Sequence, residues 1–148
     1  MSNNQSELDF FKKSLSITTK SIGKCQKAEV NFVRENPSID GRIINLTLPK
    51  LNSIKKDLNY LRGEADSLAL QLRYHDPKIH KKYLTGNNIH DKIFNAIEKS
   101  RYEAKGSLNF QGIKKNIHNK HIKELNEISS NNLENEKMIE AFRYISFS

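Results

Sequence analysis

Leu58, Leu61, Ala65, Leu68 and Leu72 recur at three- and four-residue steps, and this single apolar face constrains the chain more than any other feature. Side chains so spaced stack on one side of an α-helix and need a packing partner. A strand would scatter them over both faces. The spacing predicts a helix that begins after Leu51 and is closed by Pro77, because the residue before proline is pushed out of the helical region. A second row, Arg62, Asp66, Ala69 and Arg73, runs along its flank, and Arg62 and Asp66 are spaced to pair.

The same period recurs elsewhere. Leu8, Phe11, Leu15, Thr18, Ile22 and Cys25 form one helical face, with Ser6 as its cap and Gly23 near its end. After the turn Gly86-Asn87-Asn88, a third helix starts behind Asn88 or His90 and directs Ile93, Phe94, Ile97, Ala104 and Leu108 inward; Phe94, Glu98, Arg101 and Lys105 flank that row. Gly106 and Gly112 interrupt the helical pattern beyond it. A polar helix from Ile113 to Ile128 has only Ile113, Ile117, His121 and Leu125 as its apolar face. Ser129 to Asn132 read as a loop, and Glu134 to Ile145 as a last helix with Met138, Ile139, Phe142 and Ile145 on one side. That apolar face still runs when the sequence stops at Ser148, which suggests either dimerisation to a homo-oligomer or a chain cut short.

Two stretches break the helical period. Val30 and Phe32, and then Ile44, Leu46 and Leu48, alternate with polar neighbours, a period of two that predicts two short strands. Asn36-Pro37-Ser38 and Asp40-Gly41 supply turn chemistry between them, and Pro49 ends the second. The expected fold class is α+β, mainly helical with a small β-sheet, as a single domain over residues 1–148.

With 36% hydrophobic residues, the 148-residue chain can bury one core. Cys25, the one cysteine, can form no internal disulfide, so the fold does not require an oxidising compartment. Met1 to Glu7 contain no apolar stretch like that of a secretory signal, and no apolar run approaches the roughly 20 residues needed to span a bilayer. A cytoplasmic protein away from membranes is expected. The net charge of +8 raises a basic nucleic-acid-binding module as the alternative function. Its lysines fall in scattered pairs such as Lys55–Lys56 and Lys114–Lys115, however, without interleaved aromatics for stacking bases.

Catalytic constellations are not visible. His75 and His80 flank a proline and His118 and His121 lie three apart, but neither pair has a recognised third ligand, so no metal site is expected. There is no Gly-x-Ser-x-Gly and no phosphate-cradling Gly-x-x-x-x-Gly-Lys. Cys25 sits where a core residue would.

Two longer stretches carry a resemblance. Arg62-Gly63-Glu64-Ala65-Asp66-Ser67-Leu68-Ala69-Leu70-Gln71-Leu72-Arg73-Tyr74-His75-Asp76, followed by His80, resembles the "RG-x-ADSLAL-x-L-x-x-HD-x-x-x-H" stretch of the T subunit of aerobic cobaltochelatases. Phe94 to Gly106, with Glu98, Arg101 and Glu103, is similar to that family's "F-x-A-x-E-x-x-R-x-E-A-x-G", and Gly112 and Asn116 fit its "G-x-x-x-N". The resemblance implies a helper of ATP-dependent cobalt insertion into hydrogenobyrinic acid a,c-diamide. Its partners would be an AAA+ ATPase subunit and a large corrin-binding subunit; the complex would use ATP, magnesium and cobalt, with none bound by this chain. The family's acidic linker and von Willebrand A-type domain are not in this sequence, which therefore looks like a truncated subunit, a split gene or a fragment.

Arg62, Asp66, Arg73, His75, Asp76, His80, Glu98, Arg101 and Glu103 are the family-motif residues, with a structural or a docking role. An ion network joining the two motif helices is the preferred reading, because the rows flank apolar faces and buried charges must be paired. A docking surface for the ATPase is the alternative. A more distant likeness to zinc metallopeptidases places Ser67, Leu68 and Gln71 where two zinc histidines and a general base would stand, with Glu98 at a third-ligand position. None of the three can do that chemistry, so this likeness implies a degenerate metallopeptidase-like fold kept as a scaffold.

Overall fold

The computed structural model describes residues 3–50, 54–130 and 134–147. Helix α1 (Asn3–Ile22) is followed by strands β1 (Glu29–Val33), β2 (Ser38–Asp40) and β3 (Ile43–Thr47), and then by α2 (Ile54–Tyr74), α3 (Pro77–Lys82), α4 (Asn88–Asn109), α5 (Gln111–Ser130) and α6 (Glu134–Phe147). The class is α+β and mainly helical. Leu51, where the spacing places the approach to a helix, and Asn131–Asn132, expected in a loop, lie outside the described residues, as does Ser148.

The sheet has three strands. β3 is central, parallel to β1 in the register Val30↔Ile44 and Phe32↔Leu46, and antiparallel to β2 with Ile39 opposite Ile44. The expected strand pair is therefore correct, but Ser38, expected in a turn, starts a third strand. Three residues beside a proline are too short to show a period of two. Gly41, at φ 56°, makes the β2–β3 turn, a conformation that glycine adopts without strain.

Helix α2 belongs to two cores. Ala65, with half-buried Leu68 and Leu72, packs with Leu15, Ala28, Ile44 and Leu46 against α1 and the sheet. Leu70 packs on the other side with Tyr102, Ile113, Ile117 and Phe147 from α4, α5 and α6. From Leu61 to Leu70 only Arg62 is exposed. Glu64 joins the sheet to this helix: its Oε1 accepts the Thr47 amide at 2.7 Å and its Oε2 the Thr47 hydroxyl at 2.9 Å.

Several expectations about faces and ends are corrected. Ser6 lies inside α1, Thr19 rather than Thr18 is buried, and Cys25 follows the helix instead of riding on it, although it does pack against the core. Pro77 does not merely stop α2: it opens α3, whose N-cap Asp76 accepts the Lys78 and Ile79 amides. Ser129 and Ser130 remain helical. On α4 the buried residues are Ala96, Ser100, Tyr102, Glu103 and Gly106, whereas Ile97 and Leu108 are exposed. On α6 Arg143 and Phe147 face inward, while Met138, Phe142 and Ile145 are exposed. Ile93, Phe94, Ala104 and Ile139 are half-buried as expected, but the most buried positions of both helices include small and charged residues that a hydrophobic pattern does not select.

Gly106 does not interrupt α4. It lets Leu70 of α2 approach the helix backbone, since a Cβ there would overlap the Leu70 side chain. Gly63 does the same for α5: a Cβ would collide with the backbone oxygen of Asn116, which cannot rotate away. Gly63→Ala is therefore expected to cost about 3 kcal/mol, the upper part of the range for overpacking. Gly112→Ala, with nothing within contact distance, is expected to be neutral or stabilising by about 0.5 kcal/mol. Urea denaturation of the two variants checks the contrast.

Candidate functional site

Six of the nine motif residues fall into a buried lock and a surface cleft, and Arg62, Asp66 and Arg73 stand apart from both. The lock centres on Glu103 of α4, which is fully buried. Its Oε1 accepts the Ser67 hydroxyl from α2, and its Oε2 meets His121 Nε2 from α5 at 2.8 Å. One carboxylate thus ties three helices. Burial by itself would raise the Glu103 carboxyl; the His121 hydrogen bond and the cations Lys99 and Arg143 outweigh it and hold the group well below the usual carboxylate range. The other ring nitrogen of His121, Nδ1, is buried and has no hydrogen-bond partner among the described residues.

Beside the lock lies an ion cluster that the family motifs do not include. Glu124 of α5 accepts from Lys120 at 2.7 Å and from Arg143 of α6, while Arg143 also reaches Glu140. Lys120 and Arg143 are each 4% exposed, so the cluster is a packed part of the α5–α6 interface. Lys120 and Glu124 sit at i,i+4, a spacing legible in the sequence; Arg143 joins them only through the packing of the helices.

Asp66 points elsewhere. The expected Arg62–Asp66 pair does not form: Arg62 is exposed, and Asp66 accepts instead from Asn116 Nδ2 at 2.8 Å. Burial raises its carboxyl to about 6, against the opposing Asn116 hydrogen bond and the field of Arg62. Arg73 is also apart, donating to the Ile22 carbonyl at the end of α1 and lying over the rings of Tyr74 and Phe110. The motif residues therefore make separate attachments instead of one network.

The cleft collects the other five. Glu98 of α4 accepts from Arg101 Nε at 2.6 Å and meets His75 Nδ1 at 2.7 Å, and Arg101 also donates to the Tyr74 carbonyl. The Arg101 hydrogen bond, then that from His75, holds the Glu98 carboxyl down at about 2 against its burial. His80 of α3 pairs with Asn95 at 2.7 Å and stacks on Phe94, with ring centroids 4.6 Å apart. His75 and His80 meet edge to face, and Asp76 caps α3 at the margin. The resulting hollow of about 420 Å³ is bordered by Ile79 and Tyr83, which are 53% and 66% exposed.

Ser67 and Glu98, two of the positions compared with a metallopeptidase centre, are occupied with Glu103 and with His75 and Arg101 respectively. Among the described residues no group of three or more His, Cys, Asp and Glu side chains is gathered as for a metal ion. No solved structure matches the chain, and the metallopeptidase-like reading of the fold is without support.

Fold and site together define a mainly helical α+β protein with a small sheet, in which Arg73, His75, Glu98, Arg101, Glu103 and Asp66 join one element to another. Residues 5–142 match the family described as cobalamin biosynthesis protein CobT, and the chain belongs to that family. Its involvement is thus in cobalamin biosynthesis. None of its described helices is long and apolar enough to cross a membrane.

The buried charges set the stability and its pH dependence. Removing one partner from a buried ion pair is strongly destabilising, so Glu103→Ala is expected to cost about 4 kcal/mol in denaturant titration. Glu98, Glu103 and Glu124 have depressed folded-state pKa values, so their contribution is present above the unfolded value and is lost as pH falls from about 4.5 towards 2. Asp66 has the opposite sign, since its raised pKa makes ionisation unfavourable to the fold. The stability of Asp66→Asn relative to the natural protein is expected to rise between pH 4 and pH 7 by up to about 3 kcal/mol, at 1.36 kcal/mol per unit. Thermal unfolding of both proteins across that range checks it.

Proposed function

We propose that this chain is a non-catalytic accessory module of an ATP-dependent cobaltochelatase, assisting cobalt insertion by assembling with an AAA+ ATPase subunit through the α2–α3–α4 cleft. The observation that carries the reading is the gathering of His75, Asp76, His80, Glu98 and Arg101 at one edge, next to exposed Ile79 and Tyr83. Paired charges beside apolar side chains are what a protein interface uses: the apolar groups supply burial and the fixed polar groups select orientation. Family membership supports the pathway, and the fully engaged Glu103 supports a scaffold role for the buried motif residues.

Native mass spectrometry of the chain mixed with the ATPase subunit of the same organism, with and without ATP, tests the assembly. A defined complex is expected. Tyr83→Asp is expected to weaken it at least about tenfold while leaving the melting temperature unchanged, as for an interface anchor truncated on the surface. Binding that is indifferent to Tyr83→Asp would move the docking face elsewhere, and absence of a complex from folded protein would remove the reading.

A further inference from the structure

Where α4 faces α6, a second hollow of about 340 Å³ opens, with Ile128 of α5 at its side. Its apolar wall is Ala96, Ile128 and Ile139, and its polar wall is Lys92, Asn95, Lys99, Glu140 and Arg143. The volume lies in the range of small-ligand sites, which combine apolar walls with a few placed polar groups.

The charges are unevenly matched. Glu140 is already taken by Arg143 Nη1, and Glu124 by Arg143 Nη2 and Lys120. Lys99 is half-buried and makes no direct hydrogen bond or ion pair with any described residue. Arg143, 4% exposed, keeps a buried Nε with no partner. Burial, with Lys120 and Arg143 nearby, holds the Lys99 ammonium down at about 8, although Glu103 and Glu124 favour its charge. A half-buried ammonium with no acceptor among the described residues, beside a guanidinium and at the end of an aliphatic wall, calls for an acceptor that brings its own apolar body.

We propose that the α4–α6 cleft binds a small organic carboxylate with a short aliphatic body, its carboxylate received by Lys99 in the field of Arg143 and its chain lying along Ala96, Ile128 and Ile139. Lys92 at the mouth adds a steering charge. The hollow shares Asn95 with the docking cleft, but Lys99 and the aliphatic wall are separate from it, and the inference does not depend on that reading.

Amide NMR of the full chain titrated with hexanoate, hexan-1-ol and inorganic phosphate tests it. Hexanoate is expected to give saturable shifts confined to residues near 92–99 and 139–143, with the alcohol and phosphate each at least about tenfold weaker, since a charge-assisted hydrogen bond is worth that much. Lys99→Gln is expected to weaken hexanoate about tenfold by the same argument, whereas Lys105→Gln leaves it unchanged. Acylation of the Lys99 amine in the natural protein, followed by peptide mass spectrometry, gives a readout independent of any variant, and hexanoate is expected to slow it. Equal binding of hexanoate and hexanol would reduce the cleft to an apolar hollow and overturn the proposal. So would equal binding of phosphate, shifts elsewhere, or no saturable response.

Discussion

The carboxylate of Glu103 holds the helical half together. A charge removed this completely from water is tolerable only if the protein supplies what water did. Ser67 and His121 do so from two different helices, and Lys99 and Arg143 add their fields. The cost of burying the charge is therefore transferred into geometry: α2, α4 and α5 must lie where their donors reach the same two oxygens. An apolar contact could be satisfied over a range of helix rotations, whereas this one cannot.

That demand explains the small residues around it. Gly63 and Gly106 remove Cβ atoms where α5 and α4 cross α2, and Ala65 and Ala69 keep the rest of α2 thin. With the helices this close, the side chains that line their contacts are serine, asparagine and carboxylate as often as leucine. The ion cluster of Lys120, Glu124 and Arg143 extends the same construction to α6. Ser67, Asn116, Lys120, Glu124 and Arg143 each find a hydrogen-bonding partner on their own or a neighbouring helix.

The legible part of the sequence is its periodicity. α2 shows an apolar face at the expected positions, and α5 buries Ile113, Ile117 and His121 as their spacing indicates. The errors in α4 and α6 share one cause. There the inward face is Ala96, Ser100 and Glu103, or Arg143, and a hydrophobic pattern weighs those residues as surface; Ile97, Leu108 and Ile145 then mark the wrong side. Gly106 looks like a break in the sequence because its value lies in what approaches it, and Leu70 is far away along the chain. The motif residues stand out in the sequence, but their division between lock, cleft and separate attachments depends on helix packing, which spacing along one helix does not encode.

Arg73 and Glu64 give α2 a further property. One donates to the last turn of α1 and the other receives from β3, so both N-terminal elements are fastened by hydrogen bonds to the helix that also bears Ser67 and Leu70. The two cores are thus one cooperative unit with a shared beam. Loosening either half exposes part of α2, so the sheet and the helical layer share one buried helix. His75 and Arg101 stand at the C-terminal end of that beam, and the sheet is fastened to it nearer the N-terminal end through Glu64.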